Sequence, residues 1–312
     1  MNRLSKEEIR YLRYQIYRFR FDNPWITNKK IAGLVNLSIS TVSRYAKEAE
    51  EKGIIWNPQP RVKSYPHKKA ALLVFTDKHK AYFELQNCPE ITYVCIYQGD
   101  WNITAIYNKY VDFKTISGYE RTVAEGIRGT IFTPRVAYTS WESCFEKMEH
   151  FLERSSDIEE TNLDYNPEYL EWDNEEWELY YYFRYNLRKS FNKFQKKFQI
   201  SWRKYEKWKK ILTKYCSILS SFYPDGYDSY SSLTFCLRTL YEKYIMDLLS
   251  LLPTTPVLYK IGEYLSIYLY VPRDYGQYSK IFEIMSLLIG KGIITECLDG
   301  YAIESWRTGE PG

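Results

Sequence analysis

Histidine is scarce in this sequence, and its cysteines do not cluster. The chain of 312 residues has only three histidines, and its six cysteines lie far apart with no Cys-x-x-Cys pair. Zinc sites draw on closely spaced cysteine and histidine ligands. We therefore expect free thiols that are buried or partly buried, no metal site and no cofactor.

The sequence also lacks long apolar runs. No stretch approaches the roughly 20 apolar residues that a membrane-spanning helix needs. The N-terminus, with Arg3, Lys6, Glu7 and Glu8, has no apolar core of the kind found in secretory signals. These absences predict a cytoplasmic protein with no membrane partner.

Familiar catalytic patterns are absent as well. The sequence contains no Gly-x-Ser-x-Gly, no glycine-rich phosphate loop and no His-Glu-x-x-His. Its carboxylates concentrate between Glu153 and Glu178, without a pattern that would tune the pKa of one against another. We therefore expect no catalytic residues and predict that the chain is not an enzyme.

Apolar and aromatic residues, in contrast, are plentiful. Hydrophobic residues make up 45% of the chain and aromatic residues 18%. A sizeable core can therefore form, and the length suits two or more domains. The net charge of +4 is too small to identify a partner, so the distribution of charge is more informative.

The stretch 27–55 has the pattern of a helix-turn-helix. Thr27 caps a short helix with apolar residues on one face, and a second helix opens at Ser38. The turn between them contains Asn36, and asparagine is one of the few residues that tolerate the left-handed backbone such a turn can need. A preceding helix, which begins with a capping box at Ser5, supplies the third helix of a DNA-binding fold.

The second helix of this motif has a polar face that can reach DNA. Val42, Tyr45, Ala46 and Ala49 are used for packing, which leaves hydroxyls and cations on the opposite face to contact base edges and phosphates. The residues predicted to face DNA are Ser38, Ser40, Thr41, Ser43, Arg44 and Lys47. The alternative is a solvated helical hairpin in another kind of small domain.

A basic segment follows this helix and a short strand. Pro58 and Pro60 interrupt the strand pattern before Arg61, Lys63 and Lys68. These cations occupy the position of a wing, or of a hinge that leads into the next domain. In a wing they would hold phosphates without reading sequence.

The pattern of residues 68–140 is typical of a small sheet. Strands are predicted near 71–76, 91–97 and 102–107, with a helix over 78–85. We expect a further helix over 116–125 and a fourth strand over 129–136. The βαββαβ order predicts an antiparallel sheet with helices on one face.

The first half of the chain recurs in the second. Segment 141–172 is predicted to be a connecting helix and an acidic linker, and beyond it Ser201 and Gly262 lie 163 positions after Ser38 and Gly99. Packing residues keep this register through three helices. We predict an α+β fold, a tandem duplication of a winged helix-turn-helix unit plus a ferredoxin-like βαββαβ unit. The predicted domains are 1–67, 68–140, the linker 141–172, 173–222 and 230–312.

The second helical unit is far more basic than the first. Between Arg184 and Lys214 its many cations face the single acid Glu206, and aromatic residues replace small ones. We therefore expect this copy to bind phosphates more than bases. The residues predicted to contact DNA are Ser201, Arg203, Lys204 and Lys207. The alternative is a degenerate copy that serves as a dimerisation scaffold with a solvated basic face.

Residues 36–45, N-L-S-I-S-T-V-S-R-Y, followed by K-G-I-I and then a βαββαβ unit with a glycine-containing hairpin, resemble the Lrp/AsnC (feast/famine) transcriptional regulators. The resemblance implies an N-terminal unit that binds promoter DNA. It also implies a sheet unit that mediates assembly and can hold a small effector, often an amino acid. By position, the effector region would include two hairpins, Gly99, Asp100, Trp101 and Asn102, and Gly262, Glu263 and Tyr264. The alternative for both hairpins is a tight turn that needs glycine.

These patterns predict a sequence-specific transcription regulator that binds double-stranded DNA as a fused pseudo-dimer, monomeric or further assembled, with a small effector such as an amino acid as a candidate partner. One alternative is a siroheme decarboxylase. Lrp/AsnC-like folds also occur in that class, and the strand pair 97–107 around Trp101 and Asn102 is faintly similar to its Y-N-L-W-F-T segment. The other alternative is an RNA-binding or architectural protein that binds nucleic acid without sequence preference.

Overall fold

A computed structural model describes residues 4–63, 67–154, 158–163 and 170–308, apart from the side chain of Tyr275. Parts of the predicted acidic linker, 155–157 and 164–169, lie outside the described residues, as does Arg3. Within the described part of the chain the fold is α+β, as predicted, with an N-terminal helix-turn-helix followed by antiparallel strands.

Three helices and a strand form the first helical unit. The capping box at Ser5 is present. Ser5 Oγ accepts a hydrogen bond from the backbone N–H of Glu8, and the Glu8 carboxylate accepts one from the backbone N–H of Ser5. Asn36 adopts the left-handed conformation, with φ 53°. The unit consists of α1 (Lys6–Asp22), α2 (Asn28–Leu34), α3 (Ile39–Glu51) and β1 (Ile55–Val62).

The first sheet unit has the strand order of a ferredoxin-like fold. Its fourth strand lies beside the first, the first beside the third, and the third beside the second. The elements are β2 (Lys69–Phe75), α4 (Lys78–Gln86), β3 (Ile91–Gly99), β4 (Ile103–Tyr107) and β5 (Tyr119–Ile127).

The last part of this unit differs from the prediction. The helix expected over 116–125 is wrong, because residues 119–127 form β5 and pair with β2. A short 3-10 helix, Phe113–Thr115, precedes that strand. The expected strand over 129–136 is also wrong, since the neighbouring ladder is limited to isolated bridges at Arg128 and Phe132. Pairing with β2 overrides the local preference for helix.

A connecting helix, α5 (Trp141–Arg154), packs on the second half of the chain. Its inner face buries Phe145, Met148 and Leu152 in the same core as Ile281 and Leu288 of the last helix. The helix therefore helps to cover the apolar face of the sheet strands in the second half.

The second half has a similar order of elements, but a full helix precedes its last strand where the first half has only a short 3-10 helix. Three helices and a strand come first: α6 (Asn174–Phe183), α7 (Phe191–Phe198), α8 (Trp202–Tyr215) and β6 (Cys216–Phe222). A sheet unit follows with the same strand order as the first. Its elements are β7 (Tyr230–Arg238), α9 (Glu242–Leu249), β8 (Val257–Ile261), β9 (Tyr264–Pro272), α10 (Tyr275–Gly290) and β10 (Glu296–Arg307).

The two halves also share a backbone detail in the helix-turn-helix. Gln199 has φ 57°, and it stands 163 positions after Asn36. Both lie in the turn between the second and third helices. A positive φ is costly for residues other than glycine, so its recurrence at equivalent positions indicates that both turns have the same geometry.

The halves join in two places. Strand β3 pairs with β10, which merges the two sheet units into one eight-stranded sheet. Strand β1 pairs with β6 in a separate two-stranded ribbon. Phe222 of β6 lies in the core of the first helical unit, where its ring stacks on Tyr17 with 5.3 Å between centroids. Each helical unit is thus completed by a strand from the other half.

Candidate functional site

The third helix of the first unit, α3, divides into a packed face and an exposed face. Val42, Ala46 and Ala49 are almost fully buried against α1 and α2. Ser38 caps the helix by accepting a hydrogen bond from the backbone of Thr41. The predicted DNA-facing residues that are exposed on this helix are Ser38, Ser40, Arg44 and Lys47.

Two predicted contacts point inward instead. Thr41 is only 5% exposed, and its hydroxyl lies 2.8 Å from that of Ser38, so it belongs to the cap and the expectation that it faces DNA is corrected. Ser43 is half-buried and accepts a hydrogen bond from Nδ2 of Asn28 at 3.2 Å. Both hydroxyls fix the helix rather than extend its surface.

The exposed cations of α3 are held by neighbours. The Arg44 guanidinium lies over the ring of Tyr45, 4.6 Å from its centroid. Lys47 forms an exposed ion pair with Glu51 at 3.6 Å, which contributes little to stability. Both side chains can therefore turn toward a phosphate or a base at small cost.

Apolar residues on the same surface were missed by the sequence analysis. Ile39 is 50% exposed at the first turn of α3, and Leu34 is 55% exposed at the end of α2. Trp202, at the equivalent position of α8, is 53% exposed. Exposed apolar groups at the start of a recognition helix suit contact with thymine methyl groups. For Ile39 and Trp202, the position at the first residue of the helix is the signal that could have identified them.

The second unit exposes fewer of its predicted contacts than expected. Ser201, Arg203 and Lys207 are exposed on α8. Lys204 is not directed outward, because its ammonium binds the carboxylates of Asp173 and Glu176 at the start of α6. The expectation that Lys204 contacts DNA is therefore corrected.

This ion pair changes the titration of both partners. The hydrogen bond from Lys204 lowers the pKa of Asp173, although its slight burial acts in the opposite direction. Partial burial acts to lower the pKa of Lys204, but the hydrogen bond with Asp173 and the charge of Glu176 outweigh it, so that pKa is raised. The pair therefore stays charged across neutral pH and ties α8 to α6.

The predicted wing cations lie at the seam between the halves. Because β1 pairs with β6, this strand is part of the ribbon between the two units. Arg61 donates to the backbone carbonyl of Arg184 at 2.6 Å. The backbone N–H of Lys63 donates to the backbone carbonyl of Tyr215 at 2.9 Å. Lys68 is half-buried just before β2. Their surroundings fit a hinge between units.

A buried polar network joins the two helical units. Arg188 of the second unit donates to the carbonyl of Ile26 and to Oδ1 of Asn28. Arg20, only 1% exposed, donates to Glu50 at 2.8 Å. Burial, together with the nearby charge of Arg20, lowers the pKa of Arg188 to about 10. Arg188 remains charged at neutral pH, so the contact between the units is a charged one.

The first glycine hairpin packs against the second half. Asp100 accepts from the backbone N–H of Asp299 at 2.9 Å, and a Cβ on Gly99 would lie 2.2 Å from the Asp299 carbonyl oxygen. Trp101 is buried, with its indole N–H donating to Thr104. Asn102 bonds both backbone groups of Phe75. Of these four predicted effector residues, Gly99 and Asp100 contact the second half, whereas the hydrogen bonds of Trp101 and Asn102 stay within the first.

The second hairpin makes the equivalent contact with the first half. Gly262, with φ 59°, approaches the backbone of Glu125 and Gly126 so closely that a Cβ on Gly262 would lie 2.9 Å from the Glu125 oxygen. Tyr264 donates to Glu296 at 2.8 Å. Glu263 lies 3.7 Å from Arg238. The close approach of both hairpins explains why they need glycine.

A cavity of about 370 Å³ lies between the sheet and the helical units. Tyr93, near the cavity, and Gly99 are six residues apart on β3, so the cavity is about 20 Å from the first hairpin. The cations that line it are Arg61, Lys68, Arg128 and Arg307, and the described lining residues include no Asp, Glu or His.

Aromatic rings form much of the cavity wall. The sheet contributes Tyr93, Tyr259, Tyr268 and Tyr270, and α6 contributes Trp177, Tyr180 and Tyr181. Tyr259 and Tyr268 stack with 5.7 Å between ring centroids, and their hydroxyls are 2.8 Å apart. Burial raises the pKa of Tyr259 to about 12 and that of Tyr268 well above its usual value. Both phenols are therefore neutral hydrogen-bonding groups at physiological pH.

Neither a cluster of metal ligands nor a membrane-spanning helix occurs among the described residues. No group of three or more His, Cys, Asp or Glu side chains in the described ranges is placed to hold a metal ion. All six cysteines are free, and Cys95, Cys144, Cys216 and Cys236 are buried. Within the part of the chain that the structure describes, no helix has both the length and the apolar character that crossing a membrane requires.

The first helical unit matches a known family. Residues 10–55 match the winged helix-turn-helix DNA-binding family, so the chain contains a DNA-binding domain of this class. Among curated proteins, none matches this chain in sequence.

Three solved structures are similar to parts or all of the chain. The structure of E. coli AsnC is 15% identical with TM-score 0.30, over 38% of this chain and 89% of AsnC. The crystal structure of PH0061 is 13% identical with TM-score 0.26, over 41% of this chain and 93% of that one. The crystal structure of the siroheme decarboxylase NirDL is 11% identical with TM-score 0.47, over 95% of this chain and 92% of NirDL.

The match to NirDL overturns one prediction. The absence of catalytic motifs predicted that the chain is not an enzyme, whereas NirDL, two structures of which match along 95% of this chain, is a siroheme decarboxylase. Short motifs are a weak basis for that conclusion, because catalytic groups are assembled from distant parts of a chain. The prediction is therefore withdrawn.

Proposed function

We propose that this protein is a transcription regulator whose two halves, a tandem duplication, bind double-stranded DNA as a fused pseudo-dimer in the cytoplasm. The observation that carries the proposal is the division of α3, whose apolar face is fully packed while Ser40, Arg44 and Lys47 remain exposed. A recognition helix needs this arrangement, since base edges are read by side chains that no packing requirement constrains.

The join between the units supports a pair of DNA contacts at fixed separation. The ribbon of β1 and β6 and the contact of Arg188 with Asn28 connect the helical units directly. Two-fold DNA-binding proteins meet half-sites that lie one helical turn, or a multiple of it, apart. A rigid connection of this kind would set that spacing without a second chain.

The two helical units are proposed to make different kinds of contact with DNA. Arg44, Ser40 and Ile39 of the first would read bases, while Arg203 and Lys207 of the second would hold phosphates. A small effector, such as the amino acid implied by the family resemblance, and assembly beyond the fused pair belong to the same proposal.

A mobility shift tests this function. The intact chain is mixed with DNA from its own promoter and with a random duplex, and Arg44→Ala is compared with Arg121→Ala, which replaces an exposed arginine on β5, outside the helix-turn-helix. Arg44→Ala should weaken the promoter complex at least tenfold more than the random one, whereas Arg121→Ala should change neither. An equal loss of affinity for both duplexes would show that Arg44 of α3 does not read bases.

Siroheme decarboxylation is a second candidate function. The observation that favours it is the cavity, where Arg61, Arg128 and Arg307 could hold carboxylates beside flat aromatic rings. Titrating the purified protein with siroheme should then shift the Soret band and release carbon dioxide. An unchanged Soret band at saturating protein would exclude this candidate, and retention of promoter DNA in the same preparation would support the first.

A further inference from the structure

One tryptophan of the second helical unit is exposed where the first unit has an isoleucine. Trp202 is the first residue of α8 and is 53% exposed, and it stands 163 positions after Ile39 of α3. An aliphatic side chain such as that of Ile39 suits contact with a thymine methyl group. The indole of Trp202 has in addition a wide flat face, and such faces stack on the bases of single strands.

Buried rings hold this indole in place. The Trp202 ring lies 5.2 Å from that of Phe191 and 5.3 Å from that of Tyr205, measured between centroids. Phe191 and Tyr205 are themselves buried, and they stack on each other at 4.4 Å with 18° between their planes. A side chain that is already ordered by packing loses little conformational entropy when it binds a partner. The exposed part of the indole is therefore preorganised for binding.

The surface around Trp202 is basic. Arg203 follows it directly, and Lys207 lies one helical turn after Arg203, so these two cations share one face of α8. The stretch 190–214 contains one acid, Glu206, whose carboxylate pairs with a lysine of the same helix. A row of phosphates can follow the cations while a base covers the indole. The exposed cations of α7 and α8 include Lys193, Lys196, Lys197, Arg203, Lys207 and Lys210.

The same positions of the first unit have no aromatic side chain. The counterparts of Phe191, Trp202 and Tyr205 are Asn28, Ile39 and Val42. An indole at the leading end of α8 would keep that helix further from the floor of a groove than Ile39 keeps α3. A base must leave the duplex before its flat face is free to stack on a side chain. The second unit is therefore better suited than the first to an unpaired base.

We propose that Trp202 is a stacking platform for an unpaired base, and that the second helical unit binds single-stranded DNA through this ring and the cations Arg203 and Lys207. This activity goes beyond the proposed recognition of duplex DNA and does not depend on it. Stacking of this kind tolerates every sequence, because all bases have a π-face. The surface would therefore bind the unpaired strand of an opened duplex whatever its sequence.

Fluorescence anisotropy with a matched series of labelled strands tests the ligand class. The probes are oligo(dT), an abasic DNA strand of equal length and oligo(U), each titrated with the full chain. Oligo(dT) should bind at least about fivefold more tightly than the abasic strand, because the two have the same phosphates and differ only in the bases. Equal binding of these two strands would overturn the proposal. Binding of oligo(U) tenfold tighter than that of oligo(dT) would also overturn it, since the site would then belong to RNA.

Substitutions of the ring locate the stacking. Trp202→Leu should weaken binding of oligo(dT) at least about fivefold and leave that of the abasic strand unchanged, whereas Trp202→Phe, which keeps a smaller ring, should weaken it less. Phe83→Leu, the matched control at a residue 61% exposed on α4, should change neither. Wild-type affinity of Trp202→Leu for oligo(dT) would contradict the role of the ring.

Circular dichroism checks that the variants fold. If Trp202→Leu does not fold, the quenching of tryptophan fluorescence by oligo(dT) decides, because Trp202→Phe should reduce that quenching. Quenching that Trp202→Phe leaves unchanged would overturn the proposal.

Binding of the promoter duplex, measured on the same preparation, separates this inference from the proposed function. A chain that retains the duplex but binds oligo(dT) and the abasic strand equally would overturn this inference alone. A chain that binds oligo(dT) through Trp202 and retains no duplex would contradict the proposed function alone.

Discussion

Arg188 and Asn28 form a side-chain hydrogen bond between the two helical units, with Nη2 of Arg188 3.0 Å from Oδ1 of Asn28. The amide nitrogen of Asn28 donates to Ser43 on α3, so the same side chain touches the recognition helix and the opposite unit. The position of the second unit is therefore coupled through one amide to the first helix-turn-helix.

Removing this contact should weaken the join. Arg188→Ala is expected to lower the free energy of unfolding by about 1.5–3 kcal/mol, the range for hydrogen bonds that involve a charged group. Lys210→Ala, at an exposed position of α8, should change it by less than about 0.5 kcal/mol. Denaturant unfolding followed by circular dichroism measures both, and equal values for the two variants would show that Arg188 does not hold the units together.

Glycine substitutions test the joins made by the hairpins. Gly99→Ala would place a Cβ 2.2 Å from the carbonyl oxygen of Asp299, so it should cost at least about 2 kcal/mol or prevent folding. Gly33→Ala, in the last turn of α2 with nothing within 4 Å of the new Cβ, should instead stabilise the protein by up to about 0.5–1 kcal/mol. Thermal unfolding distinguishes them, and a Gly99→Ala protein as stable as the wild type would contradict the close packing.

The salt dependence of DNA binding should identify which cations of α8 contact phosphate. Replacing Arg203 and Lys207 by Gln should lower the slope of log K against log salt by about two units, because each phosphate contact contributes about 0.9. Lys204→Gln should leave the slope unchanged, since Lys204 binds Asp173 and Glu176. An unchanged slope in the Arg203 and Lys207 variant would show that these cations of α8 do not contact phosphates.

The buried tyrosines of the cavity predict sensitivity to alkali. Burial raises the pKa of Tyr259 to about 12 in the folded state, whereas in the unfolded state it is near 10. Between about pH 10 and pH 12 the folded state therefore retains a proton that the unfolded state loses. The contribution of Tyr259 to stability is complete below about pH 10 and falls as the pH rises. Tyrosinate absorbance should show one group of tyrosines that ionises near pH 10 and another only on unfolding.

Two substitutions check this assignment. Tyr259→Phe should lessen the fall in unfolding free energy above about pH 10, whereas Tyr110→Phe, at a residue 78% exposed, should not alter it. Independent ionisation of all tyrosines near pH 10 would show that the cavity wall is open to solvent.

Local patterns predicted the helical units well. The cap at Ser38 and the left-handed Asn36 are decided within a few residues of chain, as are the buried Val42 and Ala46. The helix expected over 116–125 was wrong because its residues pair with β2, and a distant strand overrides local preference.

Features that combine distant residues could not be predicted. The pairing of β1 with β6 joins Ile55 to Phe222, and the inward turn of Lys204 depends on Asp173. The cavity draws on strands of both halves and on α6, so no stretch of sequence shows its charge or its aromatic wall. The glycine hairpins were predicted as a site by position alone, and the structure shows them packed at the join between halves.

Hydroxyl-radical footprinting of the intact chain on its own promoter tests most directly whether one polypeptide presents two DNA-binding units. The account predicts two protected segments on one face of the duplex, about 10 base pairs or a multiple of that apart. Protection of one segment should be lost in Arg44→Ala, and that of the other in the combined Arg203 and Lys207 variant. A single protected segment that is insensitive to the α8 variant, or no protection at saturating protein, would contradict it.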